Sequence, residues 1–382
     1  MADWRRRRHL LRPWLAPLAL AGLAGASDLD PSDSGRWLLP QPDLYAVDAR
    51  GSSAWAVGYW GSVLRSDDGG EIWTPVATPG DRSLYAVSFA DESHGWTVGE
   101  AGALLRTEDA GRSWTSLDLE LLDPLDGQPL AKLPNLFGVA AVSPTEVWIV
   151  GDFGTVLHSR DGRRFEPVAI PPQTFADENI PERIFNAVRF SDREHGWIAG
   201  EFGTLLRTSD GGATWIGERT LRGAIDDVYL FDLAANGDGW AIAGGVGGVA
   251  LESDDGGSSW GALPVATTAG IFGAAVRGAH GILAGDRGVL LVSVDRGASW
   301  REPERPRSFN WLRGAAFGSD GLAYAVGEQG LILRSRDGGQ SWEWRQGRRP
   351  PPKSGVSVPD PGARAKPSVV EHGREAEQPA RN

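Results

Sequence analysis

The 382-residue sequence contains no cysteine, and lysine is almost as scarce, since only Lys132, Lys353 and Lys366 are present. The absence of cysteine excludes a disulfide framework, a thiolate metal site and a lipid-modified cysteine. The six histidines are scattered, and His94 and His195 occupy equivalent turns of two repeats, so that they do not converge as metal ligands. The sequence therefore predicts no metal centre.

Motifs for catalysis and for nucleotide binding are also missing. The sequence has no nucleophile motif and no phosphate-binding loop. The glycine-rich stretch 244–248 lies in a hairpin and not ahead of a helix, where a nucleotide-binding fingerprint would have to stand. Beyond the N-terminus, no apolar run reaches the ~20 residues that a membrane-spanning helix needs. We therefore expect no catalytic residues and no cofactor.

Negative charge exceeds positive charge over most of the chain. The formal net charge is −12 at pH 7, while residues 1–26 and residues 345–382 are each net +4, which leaves a body of −20. A body this acidic argues against nucleic acid as a partner, because the phosphate backbone attracts basic surfaces.

The strongest pattern that is present is the motif S/T-x-D-x-G-x-x-W, which we call a box. Six complete copies span 66–73, 107–114, 208–215, 253–260, 293–300 and 335–342. A decayed copy at 159–165 is one residue shorter and ends in Phe165. The closing aromatic residues are 40 to 51 residues apart. A period of this length is typical of propeller blades.

We predict that each box is a structural turn and not a ligand site. The aspartate accepts hydrogen bonds from backbone N–H groups, the glycine adopts positive φ, and the Ser or Thr hydroxyl closes the turn. The aromatic residue begins the next strand and covers the turn. The predicted structural residues are Asp68, Asp109, Asp161, Asp210, Asp255, Asp295 and Asp337, with Trp73, Trp114, Trp215, Trp260, Trp300 and Trp342.

Each repeat has the same internal order, as in 84–107, where an apolar strand, a polar turn, an aromatic strand ending in glycine and a third strand precede the box. Four short antiparallel strands in each of seven repeats predict an all-β fold, a seven-bladed β-propeller of four-stranded antiparallel blades. Two segments compete for the strand that completes the ring, 37–40 and 342–344, and the sequence leaves the choice open.

The two ends of the chain differ from the repeats, so we divide it into a signal peptide (1–26), the propeller (27–344) and a tail (345–382). A basic stretch, an apolar stretch and the A-x-A sequence at 24–26 predict an export signal. The alternative is a retained membrane anchor. A loose twin-arginine pattern leaves the export route open. We expect a periplasmic or otherwise extracytoplasmic protein.

The tail is rich in proline and polar residues, with little to bury, so that we expect it to be disordered. It is either simply solvated or makes weak contact with the head groups of anionic lipids at a membrane surface. We expect the protein to be a monomer, although the sequence does not determine the oligomeric state.

Two connections between repeats, 117–135 and 171–183, are longer than the others. Both join a fourth strand to the next first strand, so they emerge at the same end of the predicted propeller. Long loops on a rigid scaffold are a usual place for binding, whereas loop length also drifts without function. A binding role for these loops is therefore one of two interpretations.

A charged pair recurs across the second turn of several repeats. An acidic residue follows the second strand and an Arg ends the third, as in Glu100/Arg106, Glu201/Arg207 and Glu328/Arg334. One interpretation is a salt bridge within or between blades, which contributes little if it is exposed. The other is a binding surface for an acidic partner segment, because Arg suits bidentate contacts with carboxylates. Its candidate residues are Arg65, Arg106, Arg207 and Arg334.

A hydrolase is the rival interpretation, because the same box occurs in sialidases and other glycoside hydrolases. Glycoside hydrolysis needs two carboxylates at a defined separation. The regular aspartates are committed to turns, and the first strands carry almost no arginine, whereas a sialidase would need an arginine triad there. An envelope protein that binds or cleaves carbohydrate therefore stays the alternative function.

The segments 93–100 and 194–201, each leading into Leu-Leu-Arg-Thr, resemble the photosystem II stability/assembly factor family, the Ycf48/HCF136-like propellers. The resemblance covers about 44–342. It implies a non-enzymatic exported protein that binds a membrane-protein client through an arginine patch and assists assembly of a membrane complex. By this resemblance the third-strand arginines are the candidates for the patch. The chain departs from the family in lacking a lipoprotein cysteine and in lacking the Arg in repeats five and six.

Overall fold

A computed structural model describes residues 41–122, 127–171, 183–217 and 228–346. The predicted signal peptide, nearly all of the predicted tail and parts of both long connections lie outside these residues. Every strand lies in the compact unit that begins at Pro42. In the described part of the chain, no helix has the length and apolar character needed to cross a membrane.

The described residues form seven antiparallel sheets, one for each repeat, as predicted. Blades one to three contain β1 (Leu44–Arg50), β2 (Ser53–Gly58), β3 (Val63–Ser66), β4 (Thr74–Val76), β5 (Leu84–Phe89), β6 (Gly95–Gly99), β7 (Leu104–Thr107), β8 (Thr115–Ser116), β9 (Leu136–Ala141), β10 (Val147–Gly151), β11 (Val156–Ser159) and β12 (Glu166–Pro167). Blades four and five contain β13 (Phe185–Phe190), β14 (Gly196–Gly200), β15 (Leu205–Thr208), β16 (Ile216–Gly217), β17 (Leu230–Ala235), β18 (Ala241–Gly245), β19 (Ala250–Ser253) and β20 (Gly261–Ala262). Blades six and seven contain β21 (Ile271–Arg277), β22 (His280–Gly285), β23 (Leu290–Ser293), β24 (Leu312–Phe317), β25 (Ala323–Gly327), β26 (Ile332–Ser335) and β27 (Glu343–Gln346).

The seven sheets form a closed ring. Within each blade the strands pair in chain order, and the first strands of successive blades contact one another, with β24 of blade seven contacting β1 of blade one. The strand that completes blade seven is β27, so the C-terminal segment takes the position for which two segments competed in the sequence. The other segment, 37–40, lies outside the described residues. The strand β27 ends at Gln346, two residues beyond the predicted end of the propeller.

Blade six differs from the prediction of four strands, because its sheet has only three. Its fourth position is reduced to one antiparallel bridge, in which Val292 and Arg301 exchange both backbone hydrogen bonds at 2.9 and 3.0 Å. The next donor on this edge would be residue 303, which is Pro303 and has no N–H. In blade three the equivalent donor is Val168, which bonds to Val156 O at 2.8 Å.

The hydrophobic core is divided among the seven interfaces between blades. One buried cluster lies between each pair of neighbours, and the cluster that joins Leu44 and Ala56 of blade one to Tyr324 and Ile332 of blade seven closes the ring. The second-strand aromatics Trp55, Trp96, Trp148 and Trp240 are fully buried. A single blade exposes both of its faces, so radial packing is what buries this apolar surface.

Candidate partner-binding surfaces

Because the strands alternate in direction, the propeller has two ends with different loops. We call one end the box face; it carries the boxes and the loops between first and second strands. We call the other the turn face; it carries the tight turns between second and third strands and the connections between blades. The predicted arginines lie near the box face and their paired acids on the turn face.

The boxes are closed by local hydrogen bonds, as the box at 208–215 illustrates. Asp210 accepts bonds from the Thr208 hydroxyl (2.8 Å), the Thr214 amide (2.8 Å) and the Thr214 hydroxyl (2.5 Å). The Gly212 amide donates to the Thr208 hydroxyl at 2.9 Å. The same arrangement recurs around Asp109, Asp255, Asp295 and Asp337. These carboxylates are occupied by their own loops, which favours the structural interpretation.

The decayed box of blade three keeps its aspartate contacts despite the missing residue. Asp161 accepts bonds from the Ser159 hydroxyl (3.2 Å) and from the amides of Arg163 (2.8 Å) and Arg164 (2.7 Å). Phe165 is buried like most of the tryptophans that close other boxes. The turn therefore tolerates the shorter loop because the aspartate reaches the amides two and three residues ahead of it.

The box aspartates make the fold sensitive to acid. Hydrogen bonds from the Thr214 hydroxyl and amide lower the pKa of Asp210 to about 2, and similar bonds lower the pKa of Asp255 and Asp295. A carboxyl whose pKa is depressed in the folded protein stabilises it above its ordinary pKa, and this contribution is lost as the pH falls through the folded value.

We therefore expect stability to decline between pH 3.8, the ordinary value for Asp, and about 2. The free energy of unfolding, measured by urea titration at a series of pH values, checks this. Replacing Asp210 with Asn is expected to reduce the slope in this interval. If most of the stability is already lost above pH 5, groups other than the box aspartates control acid unfolding.

The boxes also join neighbouring blades, which sequence reasoning did not predict. The indole N–H groups of Trp55, Trp96 and Trp197 donate to a box carbonyl of the next blade at 2.8, 3.0 and 2.9 Å. Their acceptors are the carbonyls of Ala110, Gly162 and Gly256. In blade six, a ring nitrogen of His280 takes the same role toward Gly338 O at 3.0 Å. A tryptophan at or just before the start of five of the seven second strands was the available signal.

Two of the four candidate arginines extend these links between blades. Arg65 donates to the box carbonyl of Ala110 at 2.7 Å, and Arg334 donates to the box carbonyl of Gly69 at 2.9 Å. The Arg334 side chain is fully buried and also contacts Glu71 (3.0 Å) and Glu343. A side chain without exposed surface has no access to a partner, so the geometry favours the salt-bridge interpretation for Arg334.

The other two candidates differ from each other. Arg106 is buried, pairs with Glu108 at 2.7 Å and lies 5.4 Å from the centre of the Trp96 ring. Arg207 is only half-buried, and its side chain makes no hydrogen bond or ion pair with the described residues. Of the four predicted residues, Arg207 is therefore the one most available to an acidic partner.

The acid/Arg pairs of the sequence do not form in the structure. Glu100 and Arg106 lie at opposite ends of β7, because the acid precedes the strand and the Arg nearly ends it. Glu100 instead accepts the Ser83 amide at 3.3 Å, and Glu201 accepts the Ile184 amide at 3.2 Å. Each acid thus anchors the start of its own first strand, and the pairing interpretation of these acids is wrong.

The turn face combines acidic turns with exposed apolar side chains. The acids that open the tight turns are Glu100, Asp152, Glu201, Asp286 and Glu328. The next residue in each of these turns has left-handed backbone geometry. At that position Trp60 of blade one is 69% exposed and Phe153 of blade three is 68% exposed.

Burial raises the pKa of Asp152 and of Glu201, although the hydrogen bonds that these carboxylates accept act to lower it.

An open groove of about 270 Å³ on the box face is lined by Ser143, Thr145, Glu146, Arg160 and Arg193, and so contains a single carboxylate. Glycoside hydrolysis needs two. In the described ranges, no three His, Asp or Glu side chains are grouped so that they could hold a metal ion.

The repeats, the boxes and the closed ring can now be compared with known families. The family model described as photosynthesis system II assembly factor YCF48 matches residues 41–133, 71–174 and 172–270, which together cover more than half of the chain. The chain belongs to the YCF48 family. A comparison with curated proteins finds no match.

Solved structures with the same fold include two members of this family. One, described as YCF48 bound to D1 peptide, is 22% identical, with a TM-score of 0.59, and the alignment covers 78% of this chain and 94% of that one. YCF48 from Cyanidioschyzon merolae is 20% identical, with a TM-score of 0.59, and covers 78% and 96%. At these identities the likeness shows the fold.

A third similar structure is an enzyme. The GH74 enzyme from Niastella koreensis is 11% identical, with a TM-score of 0.59, and the alignment covers 80% of this chain and 54% of that one. This likeness also shows the fold alone, because one propeller fold supports many unrelated functions.

Proposed function

We propose that this protein is a non-enzymatic scaffold that binds a segment of a membrane-protein client and assists the assembly or stability of a membrane complex. Membership of the YCF48 family is the observation that supports the proposal. A structure of that family described as bound to a D1 peptide adds that this fold can present a surface to a peptide segment.

We also propose an extracytoplasmic location. The support is the sequence of residues 1–26, with its basic stretch, apolar stretch and A-x-A site. The glycan-acting alternative rests on the fold likeness to GH74 enzymes.

Crosslinking followed by mass spectrometry in the native host tests the proposal. We expect wild type to capture one membrane protein reproducibly. Arg207→Ala is the suitable variant on the box face, because the exposure of Arg207 lets it be replaced without breaking a buried ion pair. Loss of the captured protein in this variant would place the client on the box face, while unchanged capture would direct attention to the turn face.

Capture of no membrane protein by wild type would contradict the scaffold. Incubation of the purified protein with a panel of glycans provides the complementary test. Turnover of one glycan, lost on replacing a single carboxylate outside the boxes, would support the alternative function.

A further inference from the structure

Each first strand contains an irregularity at its second residue. In all seven blades the pairing of the first and second strands shifts register around this residue, as between Leu84 and Ala86 in blade two. A β-bulge of this kind redirects a side chain. The bulged residues are Tyr45, Tyr85, Phe137, Asn186, Phe231, Phe272 and Arg313, and we call them the axial collar.

The axial collar lies where the innermost strands begin, at the turn face. All seven of its side chains are partly exposed, whereas the residue before each is buried. Contacts run from blade to blade, with ring centroids 5.8 Å apart for Tyr45 and Tyr85, 5.5 Å for Tyr85 and Phe137, and 5.2 Å for Phe231 and Phe272. Five aromatic rings thus surround the axis of the propeller at one level.

The collar already accommodates one cation. The guanidinium carbon of Arg313 lies 5.3 Å from the centre of the Tyr45 ring. The Arg313 side chain has no ion pair and no hydrogen bond with the described residues, and its burial lowers its pKa. Aromatic faces attract cations of this kind through the ring quadrupole. The nearby buried carboxylate of Asp232 also favours the charged form of Arg313.

Carboxylates lie close behind the aromatic rings. Burial and the nearby charge of Asp43 raise the pKa of Tyr45 to about 12, and burial together with Glu100 and Asp152 has the same effect on Tyr85, while the charge of Arg313 acts in the opposite direction on both. Asp43 also accepts the amide of Gln329, which connects the entry of blade one to the tight turn of blade seven. The carboxylates of Asp43, Glu100 and Asp152, which come from three blades, therefore act on the neighbouring rings of Tyr45 and Tyr85.

Most basic side chains of the turn face are already engaged in the described structure. Arg82 donates to Ala101 O at 3.0 Å, Arg287 contacts Asp286 at 3.3 Å, and Arg305 donates to Gly288 O. The described tight turns themselves carry five acids, Glu100, Asp152, Glu201, Asp286 and Glu328, and one base, Arg287, so the field over these turns favours positive charge.

Large apolar side chains are exposed beside this acidic region. Trp60 and Phe153 occupy equivalent positions in two tight turns, and Phe309, which is 88% exposed, lies on the connection from blade six to blade seven. That connection reaches the collar, because Trp311 stacks on Tyr45 with centroids 6.1 Å apart. An exposed apolar patch with charged surroundings is a common feature of interaction sites.

We propose that the turn face around the axial collar binds a cationic and apolar peptide segment, with Lys or Arg side chains over the aromatic rings and large apolar side chains against Trp60, Phe153 and Phe309. The inference rests on the proposed function, since it names the chemistry of the client segment. It replaces the acidic partner expected from the arginine series, because those arginines lie near the opposite face and three of them are committed to contacts in and between blades.

The test uses the full chain and four fluorescent peptides of equal length. In three of them leucine alternates with lysine, glutamate or serine, and in the fourth lysine alternates with serine. Fluorescence anisotropy is expected to show binding of the Leu/Lys peptide, weaker binding of the Lys/Ser peptide and no binding of the Leu/Glu peptide. The affinity for Leu/Lys should fall as salt is added, because exposed charges are screened.

Variants locate the binding surface. The double variant Trp60→Ala/Phe153→Ala is expected to weaken binding about tenfold, as loss of aromatic anchors does at interfaces. The matched control is Ile72→Ala/Ile216→Ala, which removes two similarly exposed apolar side chains outside the turn face and should leave binding unchanged. Equal weakening in both double variants, or tighter binding of the Leu/Glu peptide, would overturn the proposal.

The chain's own basic tail is the competing occupant. If the Leu/Lys peptide binds only after the basic residues of 347–382 are neutralised, the tail fills the face and the proposal falls. The proposed function is judged separately. If Trp60→Ala/Phe153→Ala still captures the native client in crosslinking while peptide binding is absent, the scaffold stands and only this surface is wrong.

Discussion

Replacing Arg334 with alanine is expected to lower the free energy of unfolding by about 3 kcal/mol. Breaking a buried ion pair typically costs ~3–5 kcal/mol because a charge loses its partner. Here the low end applies, since Glu71 and Glu343 are partly exposed and Arg345 contacts both. The change also removes the hydrogen bond to Gly69 O that joins blade seven to blade one.

The matched control is Arg207→Ala at the equivalent position of blade four, where β15 pairs with β14 as β26 does with β25. Because Arg207 is half-buried and has no ion pair with the described residues, its loss should change stability by less than about 0.5 kcal/mol. Urea unfolding followed by tryptophan fluorescence measures both. Equal effects of the two substitutions would show that the closure between blades seven and one does not depend on Arg334.

Replacing Gly99 with alanine is expected to destabilise the protein by about 3 kcal/mol, the upper range for overpacking. Gly99 ends β6 with a φ of −174°, which any residue can adopt. The obstacle is steric, because an added Cβ would lie 1.9 Å from the backbone oxygen of Ser83. Neither backbone can move away without disturbing the bulge that places Tyr85 in the axial collar.

The chain offers a graded series for this test. The equivalent Cβ at Gly200 would lie 2.3 Å from Ile184 O, so Gly200→Ala should be slightly less damaging. Gly237→Ala is the control, since nothing lies within 4 Å of its added Cβ and its φ is not positive. Thermal unfolding ranks the three variants. A Gly237→Ala variant as unstable as Gly99→Ala would refute the steric explanation.

The structure is consistent with the predicted box turns, whose chemistry is local. Asp210 and its partners Thr208, Gly212 and Thr214 all lie within eight residues, so spacing alone identifies the hydrogen bonds. The same repeats predicted four strands for each blade, and six blades have four. The prediction failed in blade six, where the position of Pro303 relative to the hydrogen-bonding register decides whether a fourth strand forms.

The arginine series shows the limit of such reasoning. Arg106, Arg207 and Arg334 stand at the same position of their repeats, yet one is half-buried and two are buried. The partners explain the difference. Arg334 pairs with Glu71 of the next blade, where blade five has Ser258, and Arg106 pairs with Glu108 of its own box, where blade four has Ser209. The position of an arginine in the repeat therefore does not determine its exposure, which depends on the residues around it in its own blade and in the next one.

The sequence by itself determined the number of blades, the order of strands within a blade and the chemistry of the box turns, because each depends on residues close together in the chain. The tertiary structure decided which side chains remain available to a partner. Arg334 reaches Gly69 across 265 residues of sequence, and the axial collar brings together one residue from each of seven blades. Ring closure creates these contacts, and no interval within a single repeat encodes them.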